Sequence, residues 1–426
     1  MEKLHLDLDG GNPRRGLCGM AQSLVGSEIL KIAGEIRAKK LAGAKIADFT
    51  VGDFSSREFP IPDKLRDGIL RALAAGETNY PPSDGVLRLR EAVRDFWRER
   101  LQLEVPLESI LIAGGSRPVI YAAYRALIEP GDVVVYPVPS WNNNHYCHLV
   151  GARGVALETD PEHGFLPTAE SLRPHLGTAR MIALCTPLNP AGTVLAPEEV
   201  KRIAEAVVAE NRRRDQARER PLYLLFDQVY WKLTFGSARH ELPARVVPES
   251  ARYTIYVDGI SKAFAATGVR VGWCVGPRAV VGAMKDILGH VGAWAPRAEQ
   301  VATAELLRDH SAMEQYLKEH TGRLQNRLDA LHEGFARMAK AGLPVRDIAP
   351  QGAIYLSVQV RLPGRTNDQT RRYLLDEAGF ALVPFQAFGL AGENGWFRLS
   401  AGAVSLRDIE EALPRLEAAL RKAVKT

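Results

Sequence analysis

Cysteine is scarce in this chain, and what there is lies scattered. Cys18, Cys147, Cys185 and Cys274 are the only four in 426 residues, with no CxxC and no paired spacing. A disulfide framework needs denser cysteines and an oxidising compartment, so the pattern fits a protein of the reduced cytoplasm. His145, Cys147 and His148 lie close together, but no second ligand cluster with zinc spacing accompanies them, and no metal site is expected. Long apolar runs are missing as well. No stretch approaches the roughly 20 residues that a membrane span needs. The N-terminus, with Asp7, Asp9 and two glycines, has no apolar core of the signal-peptide kind. Nor is there much excess charge: 55 basic against 50 acidic side chains leave +5, with no basic stripe interleaved with aromatics, which argues against nucleic acid as a partner. The densest basic run, Arg212-Arg213-Arg214 with Arg218 and Arg220, also holds Glu210, Asp215 and Glu219, and reads as the solvated end of a helix. Finally, there is no G-x-S-x-G, no H-E-x-x-H, no Walker loop and no G-x-G-x-x-G after a strand, so the enzyme classes built on those motifs find no support.

The composition that remains, 46% apolar and 25% charged, is that of an ordinary globular protein. Its length suits one large α/β domain with a smaller companion. Helical spacing recurs over 23–42, 63–75 and 86–101, with a short strand at 46–51 and the turn-rich Asn79 to Gly85 between the second and third helices. Seven short, β-branched-rich runs follow, at 110–113, 133–136, 154–157, 181–185, 222–226, 254–257 and 271–275. Several are separated by helix-length segments, which is the pattern of parallel strands with crossover helices. The tail changes character. A long charged helix over 297–341 leads to a strand at 353–360, a helix at 367–378, a strand at 397–399 and a final helix at 405–423. The expected division is an N-terminal segment (1–54) packing with the small domain, a large domain (55–305) and a small C-terminal α+β domain (306–426). No internal repeat and no low-complexity linker interrupts it.

The most telling stretch is Asp258-Gly259-Ile260-Ser261-Lys262, with Arg270 eight residues after the lysine. A lysine delivered by the end of a buried strand has its pKa lowered by desolvation, and its neutral amine can attack a carbonyl. An arginine a short loop away suits a phosphate dianion through forked, charge-assisted hydrogen bonds. Together they suggest pyridoxal phosphate. Ala113-Gly114-Gly115-Ser116-Arg117, at a strand end and opening a helix from Pro118, has the make-up of an anion site: backbone N–H groups, a positive helix terminus and glycines that permit close approach. Asp227, in Leu224-Leu225-Phe226-Asp227-Gln228-Val229-Tyr230, is an acid at the end of an apolar strand, costly to bury without a partner. A protonated pyridine nitrogen would be such a partner. Three further segments share the pattern: Pro139-Ser140-Trp141, Thr186-Pro187-Leu188-Asn189-Pro190-Ala191-Gly192-Thr193, and Trp396-Phe397-Arg398-Leu399-Ser400.

In this order, over roughly residues 48–400, these motifs resemble those of fold-type-I, pyridoxal-phosphate-dependent aminotransferases of the class I/II group. The resemblance implies a large domain with a mostly parallel seven-stranded sheet flanked by helices, plus a smaller α+β domain. It implies that Lys262 holds pyridoxal 5'-phosphate as a Schiff base, that Gly115, Ser116, Arg117 and Arg270 surround its phosphate, and that Ser261 also binds the cofactor. Trp141 would stack on the ring, Asp227 would pair with its nitrogen, and Asn189 and Tyr230 would reach its phenolic oxygen. Arg398 would take the substrate α-carboxylate, with Asn189, Gly52 and Trp141 nearby. Tyr80 would cross to the partner's phosphate in a homodimer. The implied activity is a ping-pong transfer of an amino group from an L-amino acid to a 2-oxo acid. Other reactions on the same fold, such as β-elimination or C–S cleavage, decarboxylation and cyclopropane formation, are alternatives, and so is a non-catalytic cofactor-binding regulator. The chain departs from the family at two places. Gly259 stands where a phosphate-binding Ser or Thr is usual, and Pro384 to Gly389 replaces the usual Pro-Gly and Phe-Gly loop near the substrate. Which amino acid serves as donor is not legible. Arg57 and Arg117 are candidates for a second carboxylate, and Trp141, Tyr146, Phe385 and Phe388 for an apolar pocket.

Overall fold

The computed structural model of the chain describes residues 15–425. The N-terminal stretch with Asp7 and Asp9, read above as lacking an apolar leader core, lies outside the described residues. The strands are β1 (Ala47–Asp48), β2 (Ile110–Ala113), β3 (Val133–Val138), β4 (Arg153–Glu158), β5 (Ala179–Cys185), β6 (Tyr223–Asp227), β7 (Thr254–Gly259), β8 (Gly272–Val275), β9 (Val345–Ile348), β10 (Tyr355–Val360), β11 (Phe380–Ala381), β12 (Val383–Pro384) and β13 (Trp396–Ser400). Seven of them form one sheet in the order β2-β8-β7-β6-β5-β3-β4. Every pairing is parallel except those of β8, which runs antiparallel to β2 and β7. The expected seven strands are all present. Strands β2, β3, β7 and β8 are buried along their whole length, because helices cover both faces of the sheet. One face packs on Leu89, Val93, Trp97, Val207 and their neighbours, the other on Val119, Tyr124, Met284 and Leu288.

The second sheet is antiparallel, order β12-β13-β10-β9, while β1 pairs in parallel with β11. Its core is carried by Leu324 to Met338 of the helix His310–Lys340 and by Ile409 to Leu420 of the helix Leu406–Lys425.

Several elements differ from the sequence reading. The strand expected over 46–51 is paired only at Ala47 and Asp48, because the chain then turns its carbonyls toward other partners. The single helix expected over 297–341 is two, Arg297–Arg308 and His310–Lys340. Asp309 breaks it with a non-helical backbone, and its carboxylate accepts from the Ala312 N–H to cap the second helix. The helix expected from Pro118 begins two residues earlier, at Ser116. Proline is tolerated there because the N–H groups of the first turn have no partner within the helix. Among the described residues, no helix is long and apolar enough to cross a membrane.

Candidate active site

Five loops meet at the carboxyl ends of β2, β3, β5, β6 and β7, the usual place for a ligand in an open parallel sheet. Lys262 lies in the four-residue turn of helix Ile260–Ala263 that follows β7. Its Nζ donates to the Gly52 carbonyl at 2.7 Å and stands 5.8 Å from the centre of the Tyr230 ring. Burial draws this amine down to about 8, opposed by Asp53 and Asp227 and reinforced by Arg398 and Arg117. A substantial fraction is therefore the free, nucleophilic amine at mildly alkaline pH.

The strand pair β7–β8 places Gly259 opposite Gly272. A Cβ on Gly272 would lie 2.5 Å from the Gly115 carbonyl carbon and 2.6 Å from the Ser116 nitrogen; one on Gly259 would lie 2.9 Å from both the Gly272 Cα and the Val271 oxygen. Three backbones are thus stacked in direct contact, and a side chain at 259 would force the stack apart. That accounts for glycine where the family usually has a hydroxyl. Gly115 has φ of 102°, and a Cβ there would collide with the Arg270 guanidinium. Arg270 itself is left-handed, with φ of 63°, a conformation costing roughly 1–2 kcal/mol in an L-residue. Its guanidinium is held by the Thr267 carbonyl at 2.5 Å and the Gly114 carbonyl at 3.0 Å. A fork of positive charge therefore lies over the N-terminus of the twelve-residue helix Ser116–Leu127, which is what a phosphate dianion requires.

Asp227, at the last position of β6, accepts from the Val229 N–H at 3.2 Å. Burial pushes its carboxyl up to about 6, with the Val229 N–H and Lys262 opposing the shift. Nothing in its surroundings compensates the buried charge fully, so the site is suited to a cationic ring nitrogen. Beyond it, Arg398 of β13 is 1% exposed. It donates to Asn189 Oδ1 at 3.2 Å and to the Thr50 carbonyl at 2.6 Å, while its Nε has no partner among the described residues. Its guanidinium lies 4.7 Å from the Tyr355 ring centre and 4.8 Å from that of Phe388. A buried guanidinium with an unused N–H is an unfinished carboxylate site. Tyr355 of β10 also shares a 2.8 Å hydrogen bond with the Tyr230 hydroxyl.

Lys262, Asp227, Tyr230, Asn189, Arg398 and Gly52 are thus brought together, with Ser261 beside the lysine and Gly115, Ser116 and Arg270 forming the cradle. Arg117 turns away from the cradle: its guanidinium lies 5.1 Å from the centre of the Trp141 ring and has no hydrogen bond or ion pair among the described residues. Phe385, Phe388 and Tyr146 are buried, whereas Trp141 is half-buried. Tyr80 is 82% exposed, its ring against Trp294. Sequence reasoning missed Tyr355, Thr50, Asp53 and Asp258. The last has its carboxyl pushed up to about 7 by burial, and it accepts from the Gly259 N–H at 2.7 Å and the Trp231 indole N–H at 2.8 Å. A tyrosine inside the apolar strand 353–360 was the available signal, since a buried phenol needs a partner.

A buried nucleophilic amine, a dianion cradle, a buried carboxyl short of a counter-charge and a carboxylate fork define an enzyme that holds a phosphorylated pyridine aldehyde covalently and works on amino acids. Comparison with known proteins is specific about the kind. The family model described as aminotransferase class I and II matches residues 44–416. The aspartate aminotransferase of Rhizobium meliloti (strain 1021) is 30% identical over 405 residues, covering 92% of this chain and 93% of that protein. The aspartate/prephenate aminotransferase of Thermus thermophilus is 30% identical over 412 residues, with coverage of 96% and 100%. The structure of Thermus thermophilus aspartate aminotransferase with maleate superposes with a TM-score of 0.86 at 27% identity, covering 95% of this chain and all of that one. An aromatic aminotransferase from Pyrococcus horikoshii gives 0.81 at 26%, with coverage of 91% and 100%. The chain belongs to the class I and II aminotransferase family. It is a pyridoxal-phosphate-dependent enzyme that exchanges amino groups between amino acids and 2-oxo acids.

Proposed function

We propose that this enzyme takes the amino group of a dicarboxylic L-amino acid, aspartate first among them, and passes it to a 2-oxo acid. The observation that carries the reading is a pair of guanidinium groups available to carboxylates: Arg398, buried beside Asn189 and the Thr50 carbonyl, and Arg117, over the Trp141 ring. Among the described residues, the first has an unused N–H and the second has no hydrogen bond or ion pair. Arg398 receives the α-carboxylate in a fork, with Asn189 and the Gly52 segment fixing its plane. Arg117, on the Trp141 face, receives the distal carboxylate. Two resemblances support this choice of donor: the Rhizobium and Thermus relatives are called aspartate aminotransferases, and the Thermus structure holds maleate, a dicarboxylate.

The cofactor, when bound, withdraws the electron pair left on the substrate Cα. Lys262 would supply the amine that holds it and, when free, would take the Cα proton onto Nζ. Asp227 would pair with the ring nitrogen and keep it protonated. Tyr230 and Asn189 would donate to the phenolic oxygen. Gly115, Ser116 and Arg270 would bind the phosphate, and Ser261 and Trp141 would also hold the cofactor.

A donor panel with 2-oxoglutarate and pyruvate as acceptors tests the substrate class. For Arg117→Gln, KM for aspartate should rise by about tenfold or more, the loss of one charge-assisted contact, while KM for alanine or phenylalanine stays within about twofold. Equal effects on charged and neutral donors would remove Arg117 from this role.

The protein also works, in this reading, as a cytoplasmic homodimer. Tyr80 is exposed, with its ring against Trp294, and Leu73, Leu87 and Val291 are 48%, 53% and 62% exposed; a second copy would cover such apolar surface. Light scattering should return twice the 46.8 kDa chain mass; a monodisperse, cofactor-loaded monomer would refute the dimer.

A further inference from the structure

The helix His310–Lys340 belongs to both cores. Met313 and Leu317 are buried with the large sheet, and Leu324, Leu328 and Leu331 with the small one. His320 sits between these two sets and is 3% exposed. Its Nε2 lies 3.3 Å from the carbonyl oxygen of Lys262. A carbonyl only accepts, so this contact needs the proton on Nε2.

The surroundings hold the ring to that task. It is stacked on Tyr316, with centres 5.4 Å apart and planes at 16°, and it contacts Phe54 at 4.9 Å and Phe59 at 5.3 Å. Tyr316 is itself tied down by its hydroxyl, which donates to the Pro60 carbonyl at 2.8 Å. Burial draws the imidazole down to about 4, so it is neutral at working pH, with one N–H to give.

The backbone it meets needs such a support. The helix bearing Lys262 is a single turn, and Ala265, three residues on, is left-handed with φ of 49°. The Lys262 carbonyl also accepts from the Ala265 N–H, at a long 3.3 Å. A lysine on so short a turn has little regular structure to fix where its Nζ stands, and misplacement of about 1 Å in a reacting group can cost a hundredfold in rate.

We propose that His320 is a positioning residue: its Nε2–H holds the Lys262 carbonyl and thereby sets the place of the lysine amine, from the helix that joins the two lobes. The proposal rests on the assignment of Lys262 made above. It adds a residue on the side of the lysine backbone that faces the Phe54, Phe59 and Tyr316 rings.

The test compares cofactor-loaded wild type with His320→Phe, which keeps the ring packing and removes the N–H, and His320→Gln, which keeps a donor. The readouts are the pH midpoint of the visible absorbance of the lysine-bound cofactor, and kcat against KM. The Phe variant should move the midpoint by about half a unit or more and lower kcat about tenfold with KM unchanged, whereas the Gln variant should return to within about threefold of wild type. A Phe variant whose midpoint and kcat match wild type overturns the proposal, and so does a Gln variant that behaves like Phe. If the Phe variant does not fold, nitrogen NMR of histidine-labelled, cofactor-free wild type decides, with His320→Gln giving the assignment. A proton on Nε2 supports the proposal; a proton on Nδ1 overturns it. Because this last measurement needs neither cofactor nor turnover, its outcome is separable from any failure of the Lys262 assignment.

Discussion

Lys262→Ala protein should bind pyridoxal phosphate without the visible absorbance of a lysine-bound cofactor, resist borohydride fixation at position 262, and turn over at least about 10⁴-fold more slowly. Two functions are lost together, the covalent hold and the proton transfer at Cα. General base catalysis alone is worth about 10²–10⁴. The fold should survive, because Nζ makes one hydrogen bond, to the Gly52 carbonyl. The cofactor-free protein supplies a second signature. The amine stands at about 8 in the folded chain against an ordinary 10.5, so between those values the unfolded chain holds more protons. Stability of cofactor-free wild type should therefore rise with pH across that window, and below it the penalty of burying the ammonium is present in full. Lys262→Ala should flatten this rise, as measured by denaturant unfolding at pH 7, 8.5 and 10. A variant that transaminates near the wild-type rate would end the assignment.

Asp227→Asn should separate stability from activity. The carboxyl is raised from an ordinary 3.8 to about 6 by burial. Between these values the folded chain holds more protons than the unfolded one, so this group costs stability as pH rises through the window and costs most above it. At about 1.4 kcal/mol per unit, the cost at pH 7 is about 2–3 kcal/mol in the cofactor-free protein. An amide fits the same space, can keep the Val229 N–H bond and carries no charge to bury. The cofactor-free variant should therefore be more stable than wild type at pH 7 and equal to it near pH 3. Its kcat should nevertheless fall by about 10³-fold or more, because nothing then holds the ring nitrogen protonated and the bound cofactor loses its hold on the electron pair at Cα. Urea unfolding at the two pH values checks the first claim and steady-state kinetics the second. Loss of stability at pH 7 would mean that Asp227 is compensated in the folded chain by a partner other than the cofactor.

The sheet could be read from the chain because each of its strands is a short apolar run bounded by glycine, proline or charge. Strands buried on both faces, as β2, β3, β7 and β8 are, leave that mark without any alternation, while β4 at the sheet edge buries none of its residues fully. Lys262 and Asp227 were legible for a related reason: each lies at or just past the end of such a run, which delivers the residue into the cleft, whereas Asn189 was legible through the likeness of its loop to the family motif. The short reach of β1 was not legible. Ala47 and Asp48 alone pair, since the next residues give their carbonyls away, Thr50 to Arg398 and Gly52 to Lys262. Those partners lie 348 and 210 positions further on, and no local pattern encodes them. The orientation of Arg117 was hidden in the same way. Its place after Gly-Gly-Ser suggests the phosphate, but the side chain packs on Trp141, which arrives from the end of another strand.

Strand order of residue types along the chain was therefore enough to determine the large sheet, the nucleophile and the acid behind it, since local burial and backbone geometry set all three. Which groups surround them was decided only when the two lobes came together. Tyr355 on Tyr230, His320 under the Lys262 carbonyl and Thr50 on Arg398 are contacts between segments more than fifty residues apart. Hydrogen bonds and fields act over a few ångströms of space, and distance along the chain carries no record of them.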